Sequence, residues 1–303
     1  MKKLLVTGAD GFIGSALSSS ILFNENYSVF TCGEKNRLDS HYYHVDLTDY
    51  CETQKILQLI NPDIIVHCAG SANVPFSVEH PEQDFELNVK ITNNLLTAWL
   101  KCDNKEKELV FLSSAAVYGN QLNTPIFETA IHSPVSPYAI HKQLCELLCS
   151  YYSKQNNIDI RIARIFSAYG PGLKKQIFWD LYNKYKETGL LELLGSGEET
   201  RDYIYIDDLV NALFLITSSP RTEDPNIFNV GNGNAIAIKD VAQIFASNLG
   251  KTNEIIHFAE SARSCDPTNF CAANQKLIDL GYHQQVAIKD GIKKYIEWVC
   301  HGE

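Results

Sequence analysis

The chain has 303 residues, 45% hydrophobic and 20% charged, with 17 Gly and 10 Pro. This usage excludes disordered, collagen-like and coiled-coil classes, and at about 150 residues per domain it allows one large domain or two modest ones. A formal net charge of −10 excludes a broad phosphate-backbone footprint on DNA or RNA, while a small anionic ligand in a local basic pocket stays allowed.

In chain order, Thr7-Gly8-Ala9-Asp10-Gly11 cuts the first apolar stretch too short for a secretory signal, and no apolar run reaches the roughly 18 residues of a membrane span. Nine scattered cysteines, with no C-x-x-C pair and no His cluster, predict reduced, mostly buried thiols in a cytoplasmic protein without a metal site. Short apolar runs that do not alternate, at 4–6, 29–32, 64–68, 109–112 and 158–165, predict strands buried on both faces. Between them, residues 12–21, 49–60, 83–101 and 137–154 carry apolar side chains at helical spacing. The alternation predicts an α/β, doubly wound parallel sheet of Rossmann type over a dinucleotide-binding domain, 1–170. After Tyr169-Gly170-Pro171-Gly172 the apolar runs shorten and turns multiply, predicting a smaller interleaved α/β substrate lobe over 171–303. A helix at 204–216 and a strand at 227–230 are expected to rejoin the first lobe.

Gly8-Ala9-Asp10-Gly11-Phe12-Ile13-Gly14 follows the first strand and opens the first helix. In that context Gly8 permits a tight turn, Gly11 lets backbone approach a pyrophosphate and Gly14 lets helix pack on strand, while the helix N-terminus offers N–H donors. The second strand ends at Gly33, where an acid normally holds the adenosine ribose of NAD, with Glu34 one place late. Lys35 and Arg37 follow and suit a 2′-phosphate, so NAD and NADP both stay open; ordinary charges on a solvated turn are the alternative reading.

Tyr138 and Lys142 lie four apart on one helix face. A lysine cation beside a phenol favours the phenolate, which suits a general acid and base for a sugar or steroid hydroxyl. Tyr182 and Lys186 have the same spacing but sit outside the lobe with the glycine turn, and read as a solvated surface pair.

These residues, with Val45-Asp46-Leu47, His67-Cys68-Ala69-Gly70, Leu112-Ser113-Ser114-Ala115-Ala116-Val117-Tyr118-Gly119, Ser136-Pro137-Tyr138-Ala139-Ile140-His141-Lys142, Arg164-Ile165-Phe166, Tyr169-Gly170-Pro171-Gly172 and Arg201-Asp202-Tyr203, resemble the extended short-chain dehydrogenase/reductases that act on nucleotide sugars. The likeness covers nearly the whole chain. It implies that Tyr138 takes the proton from a sugar 4-hydroxyl, that Ser114 hydrogen-bonds that hydroxyl, and that Lys142 binds the nicotinamide ribose. It further implies Asp46 on the adenine with Leu47 packed against the ring, and Cys68, Ala69 and Gly70 running past the cofactor, after Gly8, Gly11, Phe12, Ile13 and Gly14. Arg201 and Arg263 resemble two arginines that clamp a substrate pyrophosphate, with Asp266 in the same segment. Ser167 stands where many sugar epimerases have Asn, and Cys265 replaces a common Gly. In 4,6-dehydratases Asp-Glu follows the Ser114 position, and in the decarboxylases a Glu; Ala115 and Ala116 here can move no proton.

The resemblance therefore implies a nucleotide-sugar 4-epimerase. The alternative is an NADPH-dependent 4-ketoreductase, which Gly33, Lys35 and Arg37 favour, and a remote third reading is a dinucleotide-binding protein without turnover. It also implies a homodimer through the helices near 83–101 and 137–154, with no nucleic-acid or membrane partner.

Overall fold

The computed structural model describes residues 1–37, 39–221, 226–259 and 269–301. Its first half runs β1 (Lys3–Thr7), α1 (Phe12–Ser18), α2 (Ile21–Asn26), β2 (Ser28–Gly33), β3 (Tyr42–His44), α3 (Tyr50–Ile60), β4 (Ile64–His67), α4 (Val74–Glu79), α5 (Pro81–Phe85), α6 (Ile91–Trp99), β5 (Glu108–Ser114), α7 (Pro137–Asn156) and β6 (Asp159–Ile165). There follow β7 (Ser167–Tyr169), α8 (Gln176–Thr188), β8 (Leu191–Leu194), β9 (Thr200–Tyr205), α9 (Ile206–Thr217), β10 (Asn226–Val230), β11 (Ala235–Ala237), α10 (Ile238–Asn248), β12 (Ile256–Ala259), α11 (Gln275–Asp279) and α12 (Ile288–His301).

Among the described residues, seven strands form one parallel sheet in the order β10-β6-β5-β4-β1-β2-β3, a Rossmann fold. Successive strand residues point to opposite faces, so Leu4 and Val6 enter one core while Leu5 enters the other. Both faces are covered by helices, which is why the runs read as unbroken apolar segments. The winding reverses between β1 and β4, and the loops leaving these two strands flank the crevice at their carboxyl ends.

Two smaller sheets build the other side of the crevice, β11-β9-β7 and β12-β8. The sequence expectations need four corrections. The helix read from residue 204 starts at Ile206, because Ile204 and Tyr205 complete β9. The first helix stops at Ser18 and resumes at Ile21. The long helix over 83–101 contains a π turn, Glu86–Lys90, between α5 and α6. Of the cysteines, Cys32, Cys102, Cys145 and Cys149 are buried, but Cys51 and Cys300 are exposed; none of the described cysteines is in a disulfide.

Candidate active site

The glycine turn is a close-packed backbone cradle. A Cβ on Gly8 would lie 2.7 Å from the Ala69 Cα, and one on Gly14 would lie 2.2 Å from the Gly8 carbonyl oxygen. Gly8 also has φ +67°, so both packing and backbone select glycine. Gly11 caps α1 with no side-chain acceptor, which leaves first-turn N–H groups for an anionic ligand. Phe12 and Ile13 anchor the helix by packing onto the core. These features fit a dinucleotide pyrophosphate.

A residue that sequence reasoning did not single out orders the opposite wall. Fully buried His67 accepts from Thr7 Oγ1 at Nδ1 (2.7 Å), and its Nε2 meets Thr92 Oγ1 at 3.2 Å. Thr92 itself donates to the Asn88 carbonyl, so its oxygen receives the Nε2 proton, which sets the tautomer. Thr7 Oγ1 in turn accepts the Ala69 N–H at 3.1 Å, tying the strip of Cys68, Ala69 and Gly70 to β1. Burial, and then the charge of Lys142, push the His67 pKa down to about 3.

At the end of β2, Asp10 reaches over from the glycine turn. Its Oδ2 accepts from Lys35 N (3.0 Å) and the Tyr42 hydroxyl (2.8 Å), and its Oδ1 is 2.7 Å from Arg37. The Lys35 and Arg37 side chains are otherwise exposed, with the Arg37 guanidinium 5.2 Å over the Tyr42 ring. Asp46 accepts from Thr48 N at 2.8 Å, and half-buried Leu47 is held through its carbonyl by Asn94.

At the other end of the crevice, Ser136 and Pro137 start α7 so that Tyr138, Lys142 and Glu146 share one face. Lys142 donates to the Leu112 carbonyl at 3.0 Å and sits 6.0 Å from the Tyr138 ring centroid. One turn on, Glu146 accepts the Ser113 hydroxyl at 2.5 Å. This face is thereby pinned along the last residues of β5, at whose tip Ser114 lies half-buried, accepting from Ala116 N at 3.2 Å. Tyr138 and Lys142 are both buried, each 7% exposed. Lys175, also unflagged by the sequence, reaches from the segment before α8 to the Ala72 carbonyl (3.3 Å). Burial, and then Lys142, lower its pKa.

On the second sheet, Ser167 of β7 pairs with Tyr203 of β9, and Arg201 lies two residues earlier on β9, half-buried, donating to Thr200 O at 2.9 Å. Asp202 beside it is buried and accepts from Asn232, Gly233 and Ala272 N–H groups. Arg263 and Asp266 lie outside the described residues. Tyr182 corrects an expectation: it is half-buried, and its hydroxyl donates to the Val299 carbonyl of α12 at 3.0 Å, so it is a helix-to-helix contact rather than a solvated side chain.

Among the described residues no helix is long and apolar enough to cross a membrane, and no group of three or more His, Cys, Asp or Glu is placed to hold a metal ion. A UDP-glucuronate 4-epimerase of Thermodesulfobacterium geofontis is 27% identical over 315 residues, covering 97% of this chain and 95% of that one. The crystal structure of a UDP-glucuronic acid 4-epimerase from Bacillus cereus, in complex with UDP-glucuronic acid and NAD, is similar with a TM-score of 0.88 at 27% identity, over 98% of this chain and 99% of that one. A dTDP-D-glucose 4,6-dehydratase of Homo sapiens is 25% identical over 318 residues, covering 98% of this chain and 89% of that one, so similar proteins span both chemistries. The model of the NAD dependent epimerase/dehydratase family matches residues 4–231, and the chain belongs to that family.

Proposed function

We propose that the chain is an NAD(P)-dependent nucleotide-sugar 4-epimerase, with a uridine diphosphate sugar the first substrate to test. The observation that carries the choice within the family is the turn after Ser114. Ala115 and Ala116 occupy it, buried and half-buried, and neither methyl offers the additional acid and base that elimination of water requires.

In this reading Ser114 hydrogen-bonds the 4-hydroxyl and Tyr138 accepts its proton. Lys142 supplies the positive charge beside the phenol, held in place by the Leu112 carbonyl. NAD(P), when bound, supplies the acceptor for the hydride of carbon 4 and the donor for its return. The 4-keto sugar turns over in the crevice, Tyr138 gives its proton back to the oxygen, and cofactor is conserved. Arg201, Ser167, Arg263 and Asp266 would hold the nucleotide diphosphate from the substrate lobe, which begins near residue 170. A second copy of the chain would cover the apolar face of α5 to α7, where Phe85, Ile140, Leu144, Leu147 and Tyr151 are exposed.

Incubation with UDP-, dTDP-, CDP- and GDP-sugars tests the proposal. Exchange of 4-epimers with constant absorbance at 340 nm is expected; stoichiometric loss of NADPH with a 4-keto sugar would replace it with the reductase.

A further inference from the structure

The acid that should close β2 is absent from its usual place. That place is Gly33, yet a Cβ there would lie 2.2 Å from Asp10 Oδ2, so the carboxylate of the glycine turn fills the space a strand-end side chain would take. It is fixed there by the Tyr42 hydroxyl and Lys35 N–H, and the pair with Arg37 engages the guanidinium nearest the end of the strand. Burial alone would raise the Asp10 pKa, but the Tyr42 and Lys35 bonds and the Arg37 charge outweigh it and hold the group ionised below the usual carboxylate range. The side chain is 14% exposed, and its Oδ1, apart from the ion pair with Arg37, has no hydrogen-bond partner and can still accept one.

We propose that Asp10 takes over the role of the missing strand-end acid, receiving the adenosine ribose hydroxyls and selecting NAD over NADP. The inference rests on the dinucleotide reading above. An anion at this point repels a 2′-phosphate, and it also pairs with one nitrogen of the Arg37 guanidinium that would otherwise bind one. Gly33 is then part of the same device, since any larger residue would displace the carboxylate. Lys35 and Arg37, which read from sequence as phosphate readers, become the frame that holds Asp10.

The test is competitive loading. Purified holoprotein is exchanged against equimolar NAD and NADP, and the bound nucleotides are released by acid and quantified by anion-exchange chromatography. Wild type is expected to retain NAD over NADP by roughly tenfold or more, and Asp10→Asn to lower that ratio by about tenfold, as a freed Arg37 gains a charge-assisted bond to the phosphate. Adding Arg37→Ala to Asp10→Asn should reverse part of the change. Arg37→Ala alone, where Asp10 still excludes the phosphate, should leave bound NADP within about twofold of wild type. The proposal is overturned by a wild-type ratio near one or in favour of NADP, by an unchanged ratio in Asp10→Asn protein that still binds dinucleotide, or by a tenfold fall of bound NADP in Arg37→Ala. Wild type that binds neither nucleotide overturns the dinucleotide reading itself, and this inference with it.

Discussion

Arg164 and Glu146 form a buried fork, with Nε 3.0 Å from Oε1 and Nη2 2.7 Å from Oε2. Arg164 is also bonded to the Tyr118 hydroxyl, which donates to Asn229, so one charge pair joins α7, β6, the turn after Ser114 and β10. Glu146→Ala leaves a buried guanidinium without its carboxylate and frees the Ser113 hydroxyl; a loss of about 3–5 kcal/mol is expected in urea denaturation. A loss below about 1 kcal/mol would show that water replaces the carboxylate.

If the chain is the epimerase proposed, Tyr138→Phe is expected to lower its rate by about a hundredfold or more, since it removes the proposed proton carrier, with dinucleotide retention unchanged. Tyr182→Phe deletes only a bond to α12 and should keep near-normal turnover. Equal losses in the two variants would mean that the wrong tyrosine has been assigned to the chemistry.

Gly14→Ala sets a methyl 2.2 Å from the Gly8 carbonyl, backbone against backbone, and no side-chain rotation relieves it. Overpacking of this kind costs about 1–3 kcal/mol. Because the strain falls on the cradle, dinucleotide retention should fall along with the melting temperature; stable protein with normal retention would remove this turn from the binding site.

His67 makes stability pH-dependent with a definite sign. Its folded pKa of about 3 lies below the ordinary 6.5, so above pH 6.5 the imidazole is neutral folded or unfolded and the full stability is present. As pH falls below that point the unfolded chain binds a proton that the folded chain refuses, and stability drains away until the folded pKa is reached. The loss is about 3 kcal/mol by pH 4. His67→Gln should be less stable at neutral pH but show a flatter decline in urea midpoints between pH 7 and 4. Parallel curves for the two proteins would contradict a buried neutral imidazole.

The central sheet was legible because its strands are buried on both faces: residues 109–112 are apolar throughout, and in 64–68 the one polar member, His67, is itself buried. The cradle was legible for a similar reason, since glycine spacing is a local signal and the constraint it answers, Gly14 against Gly8, is also local. Tyr138 and Lys142 needed only helical spacing. Contacts between distant segments left no such trace. Asp10 stood in plain view inside the turn, yet its pairing with Gly33 and Arg37 depends on how β1 and β2 lie together, and a motif read for its glycines says nothing of that. His67 and Thr7 meet because β4 pairs with β1 in a register that places them side by side. Strand β3 escaped notice because three residues at a sheet edge are too few to show a period, and β9 merged with α9 because Ile204, Tyr205 and Ile206 are buried in either conformation.

The pairing of β10 with β6 governs how the molecule can be made. Asn226–Val230 lies against Arg161–Ile165 only after three intervening strands and two helices have been synthesised. Until then the nascent chain carries β6 as a bare edge, with Ile160 and Ile162 beside open backbone groups, the kind of surface that recruits another chain. A gene fragment ending near residue 170 is thus an aggregation-prone piece, and the ribosome must deliver residues 171–230 before the seven-stranded sheet can close.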